Sequence, residues 1–89
     1  MPNVSFTQNL QRHLPAPSMT VVGASVRACL DAVFAEHDQL RGYVVDEHGA
    51  VRKHIVVFVN GRPIADRAQQ SDGVMPDDEI YVMQALSGG

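Results

Sequence analysis

The sequence predicts an α+β domain, a mixed β-sheet with one main helix across one of its faces. Three observations lead there. Val26, Cys29, Leu30, Val33 and Phe34 fall at i, i+3, i+4, i+7 and i+8, the apolar stripe of an amphipathic helix. Ile55-Val56-Val57-Phe58-Val59 is an unbroken β-branched and aromatic run that closes on Asn60-Gly61, the preferred pair of a tight hairpin turn. Segments of alternating apolar and polar residues stand near both ends of the chain, at residues 4–8 and 79–85. A lone helix with a single apolar stripe buries it best against a sheet.

Taken in order, Val4-Ser5-Phe6-Thr7-Gln8 is a first strand with Val4 and Phe6 on the core side. Pro15 and Pro17 interrupt regular structure, and Ser18-Met19-Thr20-Val21-Val22 returns as a second strand paired with the first. Gly23-Ala24 ends it. Ser25 is a good N-cap for a helix over residues 26–36, because its hydroxyl can accept from a backbone N–H of the first turn. Residues 37–54 are less regular, with Leu40, Tyr43, Val44 and Val45 ahead of a turn at Asp46-Glu47-His48-Gly49, and are expected to hold a short strand or hairpin. After the 55–59 strand, Arg62-Pro63-Ile64 is a short return strand, which Pro63 confines to an edge. Residues 66–78 are polar and irregular, with turns at Asp72-Gly73 and Pro76-Asp77, and lead into the last strand. If that strand lies beside the first, the topology is the ubiquitin-like β-grasp.

Eighty-nine residues suit one domain, read as residues 1–85 followed by a flexible tail, 86–89, ending in Gly-Gly. A chain this short buries about 60–65% of its unfolded surface, which leaves little room for a deep private pocket. Seven basic against ten acidic residues give a net charge of −3, which argues against a nucleic-acid partner. No apolar run is long enough to cross a bilayer. With a single cysteine and no basic-then-apolar leader, the expected location is cytoplasmic. Asn3-Val4-Ser5 is then a chance glycosylation sequon.

Gly88-Gly89 places an α-carboxylate on a stalk without side chains. Glycine lacks Cβ, so such a stalk can enter a passage too narrow for other residues. Other candidates for chemistry are weaker. Cys29 lies on the apolar helix stripe, as a buried structural thiol would, whereas reactive cysteines need exposure and electropositive neighbours. His13, His37, His48 and His54 show no metal-ligand spacing and are expected to be solvent-exposed, with no metal bound. Asp77, Asp78 and Glu79 are expected to form a solvated turn, or else a rim that steers a basic partner.

Several segments resemble the MoaD/ThiS family of ubiquitin-like sulfur carriers. They are Gly23-Ala24-Ser25-Val26-Arg27 at the helix start, Asp46-Glu47-His48-Gly49-Ala50-Val51-Arg52, Val57-Phe58-Val59-Asn60-Gly61 and Pro76-Asp77-Asp78-Glu79-Ile80. The resemblance covers nearly the whole chain in order and closes on the diglycine. Asp77 stands where the family often has glycine, and Gln84-Ala85-Leu86-Ser87 replaces its usual proline-containing tail, differences that bear on which partner the tail fits.

The resemblance implies that this chain is a carried substrate and not an enzyme, with no cofactor of its own. A ubiquitin-activating-like adenylyltransferase, using ATP and magnesium, would adenylate the Gly89 carboxylate. A persulfide or sulfide donor would then convert it to a thiocarboxylate for a sulfur-accepting biosynthetic enzyme. Similar carriers serve cysteine biosynthesis, molybdopterin, thiamine and specialised metabolites; the long 37–54 segment makes the short thiamine type less apt, and cysteine biosynthesis, then molybdopterin, is the expected destination. Conjugation to proteins through Gly89, or a plain interaction domain with an inert tail, are the alternatives.

Strand alternation supplies a candidate docking face. With Ile55, Val57, Val59, Ile80 and Val82 turned to the core, Val56, Phe58, Tyr81 and Met83 face the other side, and Leu86 follows in the tail. An apolar patch on a small domain suggests a protein contact, and similar ubiquitin-like domains dock through this face. The other possibility is that residues 37–54 fold over it and bury it.

Overall fold

A computed structural model of the chain describes residues 1–7 and 18–84. Its elements are β1 (Asn3–Phe6), β2 (Ser18–Thr20), α1 (Val26–Glu36), α2 (Asp38–Val44), β3 (Ile55–Val59), β4 (Arg62–Pro63) and β5 (Glu79–Gln84). The five strands form one sheet in the order β2-β1-β5-β3-β4. The first and last strands do lie side by side, running parallel with Val4 opposite Ile80 and Phe6 opposite Val82. The other pairings are antiparallel, so the sheet is mixed and the topology is the β-grasp.

Period-two alternation sends one side of each central strand inward. Val4, Phe6, Ile55, Val57, Ile80 and Val82 are fully buried and meet the α1 stripe of Val26, Cys29, Leu30, Val33 and Phe34 in one core. Burying each such side chain contributes about 1.5–3 kcal/mol relative to leaving it exposed. Ser25 caps α1 from an extended conformation, its Oγ accepting from the Ala28 N–H at 3.1 Å. Gly23 is required by a close approach: a Cβ there would stand 2.9 Å from both the backbone nitrogen and the Sγ of Cys29. At the β3–β4 turn, Asn60 and Gly61 have φ of 51° and 84°, as a type I′ hairpin demands. Pro63 sits on the edge strand, where its missing N–H breaks no ladder bond.

Residues 37–54 depart from the expected strand or hairpin. Their main element is α2, which buries Leu40 and Val44, an i, i+4 pair, in the same core. Arg41 lies 5.1 Å from the centre of the Phe34 ring, so its guanidinium helps seat α2 on α1. One helical turn of apolar residues, with Gly42 inside and β-branched Val44 and Val45 after it, gives little helical signal. Packing of Leu40 and Val44 overrides that weak propensity. Of the expected hairpin only one bridge forms, between Val45 and Val51, around a turn held by the Asp46 carboxylate.

Residues 66–78, irregular in sequence, are ordered by their own carboxylates. Asp72 accepts from the N–H groups of Ala65 and Asp66, and Asp66 accepts from those of Gln69 and Ser71. The loop also satisfies the N-terminus of α1, because the Asp72 and Gln70 carbonyls accept from the Val26 and Arg27 N–H groups. Gln70 is buried at φ 52°, its amide donating to the Gly49 and Arg67 carbonyls and tying this loop to the turn after α2.

Candidate functional site

β5 is the central strand, and its last described residue leads directly toward the terminus. Gln84 lies opposite Ile55 of β3, and its N–H donates to the Thr7 Oγ1 at 3.3 Å just beyond β1. Thr7 in turn donates its N–H to the Val82 carbonyl at 3.1 Å. The root of the tail is therefore anchored on both sides by neighbouring strands. Exposed Lys53 and His54, the two residues before Ile55, flank the end of the sheet where the tail begins. Leu86, Gly88 and Gly89 lie outside the described residues.

On the face opposite the helices, Phe58 stands across from Tyr81 and Val56 across from Met83. Pro63 extends the first row on one side and Ser5 on the other. Residues 37–54 do not bury this patch, because Leu40, Val44, Val45 and Val51 all turn into the core beneath α1. Tyr81 is 40% exposed, whereas Val56, Phe58 and Met83 are half-buried through lateral contact across neighbouring strands. On the core side, Val59 is only partly buried, since it lies at the end of β3 near the turn.

The acidic group at the other end of β5 divides in two. Asp77 and Glu79 are exposed, as a solvated turn requires, and Asp78, partly exposed in the same turn, also acts as a clamp. Its carboxylate accepts from the Asn60 Nδ2 at 2.7 Å and the Met75 N–H at 2.9 Å. These two bonds, the backbone one first, hold its carboxyl below the ordinary carboxylate range. The Asn60 side-chain oxygen completes the clamp by accepting from the Glu79 N–H at 2.9 Å. The sequence signal for this role was the Asn-Gly pair, read there only as a turn.

Cys29 is buried, and burial pushes its thiol above the ordinary value, so it stays protonated and unreactive at neutral pH. His48 and His54 are exposed, while His37 is half-buried between the two helices; His13 lies outside the described residues. Among the described residues no group of three His, Cys, Asp or Glu side chains is arranged to hold a metal ion. No helix among them is long and apolar enough to cross a membrane. What the described residues offer is a five-stranded sheet with a partly exposed apolar face and a central strand followed as far as Gln84.

Among solved structures, the chain is similar to one in the crystal structure of the Amycolatopsis orientalis BexX/CysO complex, with 24% identity and a TM-score of 0.87 over 100% of both chains. It is similar to SAMP1 from Haloferax volcanii, at 24% identity and a TM-score of 0.83, covering 99% of this chain and 98% of that one. Mycobacterium tuberculosis CysO is 16% identical with a TM-score of 0.84, covering 97% of this chain and 100% of its own. These likenesses establish the ubiquitin-like fold. No curated protein sequence gives a significant match. The family model described as the ThiS family matches residues 13–89, a span that contains β2 to β5, both helices and the diglycine. The chain therefore belongs to the ThiS family of ubiquitin-like sulfur-carrier proteins.

Proposed function

We propose that this protein carries sulfur as a thiocarboxylate on Gly89, and that it is the substrate and not the catalyst of the reactions that load and unload it. The observation that supports this most is the family match running through residue 89, on a fold whose central strand is β5, the last described element before that terminus. In an activating partner holding ATP and magnesium, a Gly89 carboxylate oxygen attacks the α-phosphorus and expels pyrophosphate. Sulfide then attacks the acyl carbon of the adenylate and expels AMP, leaving the thiocarboxylate. With a persulfide donor, the acyl disulfide first formed is released by a thiol. Positioning and charge stabilisation come from the partner. Gly88 and Gly89 provide a backbone slender enough to reach its centre.

The face of Val56, Phe58, Tyr81 and Met83 is the docking surface in this reading, with Leu86 following the tail into the partner. The favoured acceptor is an enzyme of cysteine biosynthesis, in a cytoplasmic setting. Incubation with the cognate adenylyltransferase, ATP, magnesium and sulfide is expected to exchange one terminal oxygen for sulfur, read by intact mass and by fragment ions assigning it to Gly89. Deleting Gly89 shortens the reach by about 3.5 Å and should abolish the exchange. Sulfur incorporated at Cys29, or in a chain lacking both glycines, overturns the reading. The likeness to SAMP1, a small archaeal modifier protein, favours a second outcome for the same adenylate, an isopeptide bond to lysine. Gly-Gly remnants of this chain on lysines of other proteins would establish it.

A further inference from the structure

We propose that Asn60-Gly61 is a deamidation site whose rate is governed by Asp78. In an Asn-Gly pair the glycine amide meets no side-chain hindrance as it approaches the asparagine Cγ. Here both residues are exposed at the tip of the β3–β4 hairpin, open to water. The Gly61 nitrogen attacks Asn60 Cγ, forming an N–Cγ bond while the side-chain nitrogen leaves as ammonia with the Gly61 proton. Water then opens the succinimide, giving aspartate or isoaspartate.

The fold opposes the first step at two points. The left-handed backbone of Asn60, at φ 51°, belongs to a turn whose conformation must change for the five-membered ring to close. Both ends of the side-chain amide are also engaged, Nδ2 to the Asp78 carboxylate and Oδ1 to the Glu79 N–H. Rotating the amide into reach of the Gly61 nitrogen breaks both bonds, one of them to a charged acceptor. The reaction is in effect irreversible, and its products undo the clamp. An aspartate at position 60 would replace the Nδ2 donor, 2.7 Å from the Asp78 carboxylate, with a second carboxylate oxygen that repels it. An isoaspartate would lengthen the backbone inside a two-residue turn. Either change loosens the junction of β3 with the start of β5.

The test follows peptide mass spectra of the whole protein at mildly alkaline pH and 37 °C, counting exchange of an amide nitrogen for oxygen at residue 60. Asn3 and Asn9, followed by bulky Val4 and Leu10, serve as internal references. Asp78→Ala should deamidate at Asn60 about tenfold faster than the wild type, the factor expected when a bond to a charged acceptor no longer has to break. Val33→Ala, which weakens the core far from the turn, should leave the native rate nearly unchanged and so separates release of the clamp from general instability. The wild type unfolded in urea should react faster than the folded protein. Equal rates in Asp78→Ala and wild type, equal rates in folded and unfolded wild type, or acceleration by Val33→Ala equal to that by Asp78→Ala, would each overturn the proposal.

Discussion

Single residues in this protein are constrained mainly by what lies within van der Waals or hydrogen-bond distance of their Cβ or carboxylate. Gly23→Ala would drive a methyl group to 2.9 Å from the Cys29 backbone nitrogen, which a capped helix cannot move to relieve. Overpacking of this kind costs about 1–3 kcal/mol, so the expected outcome is a melting temperature several degrees lower with unchanged secondary structure. Cys29 lies at the same contact, and its buried, protonated thiol should resist a thiol-specific reagent in the native protein and react at once in denaturant. Asp46, Asp66, Asp72 and Asp78 share another constraint, each carboxylate held below its ordinary range chiefly by hydrogen bonds it accepts. A carboxyl with a depressed folded-state pKa binds protons more readily when unfolded, so its stabilisation is complete above the unfolded value of about 4. It is lost as the pH falls through the folded value. Denaturant midpoints should therefore be flat from neutrality down to about pH 5 and fall below about pH 4.

Among the elements, α2 and the β3–β5 face carry the sharpest expectations. Leu40 is one of two buried residues that fasten α2, and Leu40→Ala should cost about 2–5 kcal/mol and loosen residues 38–44 first. Hydrogen exchange would detect that as lost protection in α2 while β5 stays protected. On the sheet face, Tyr81 is the cleanest probe of docking because it is the most exposed member of the patch. Tyr81→Glu should weaken association with the adenylyltransferase with little change in melting temperature. A charge at Phe58 or Met83 should do both, since each is half-buried against its neighbours and loses packing as well. If Tyr81→Glu leaves association intact, the partner docks elsewhere.

For the molecule as a whole, the first and last strands are joined at the centre of the sheet, so β5 is held by its neighbours as far as Gln84. Replacing Gly88 with a bulky residue should leave the melting curve unchanged and block thiocarboxylate formation, separating the tail's role from that of the fold. Among the described residues, exchange should be slow at the buried centre of β5, Ile80 and Val82, and fast at exposed Glu47.

Local chemistry in the sequence determined most of the architecture. The stripe from Val26 to Phe34, the β-branched run into Asn60-Gly61 and the alternation of Glu79–Gln84 each follow from interactions within a few residues, so α1, β3, the hairpin and β5 were legible without coordinates. The inward set of Val4, Phe6, Val57, Ile80 and Val82 followed from period two alone. Tertiary structure decided what depends on contacts between distant segments. The parallel pairing of β1 with β5 joins residues about seventy-six apart, Val4 with Ile80, and nothing local encodes it. α2 exists because Leu40 and Val44 find the core, against weak intrinsic propensity. Within the solvated acidic turn, Asp78 gains a clamping role because it meets Asn60 across eighteen residues of chain, where hydrogen-bond geometry and not charge pattern sets the role.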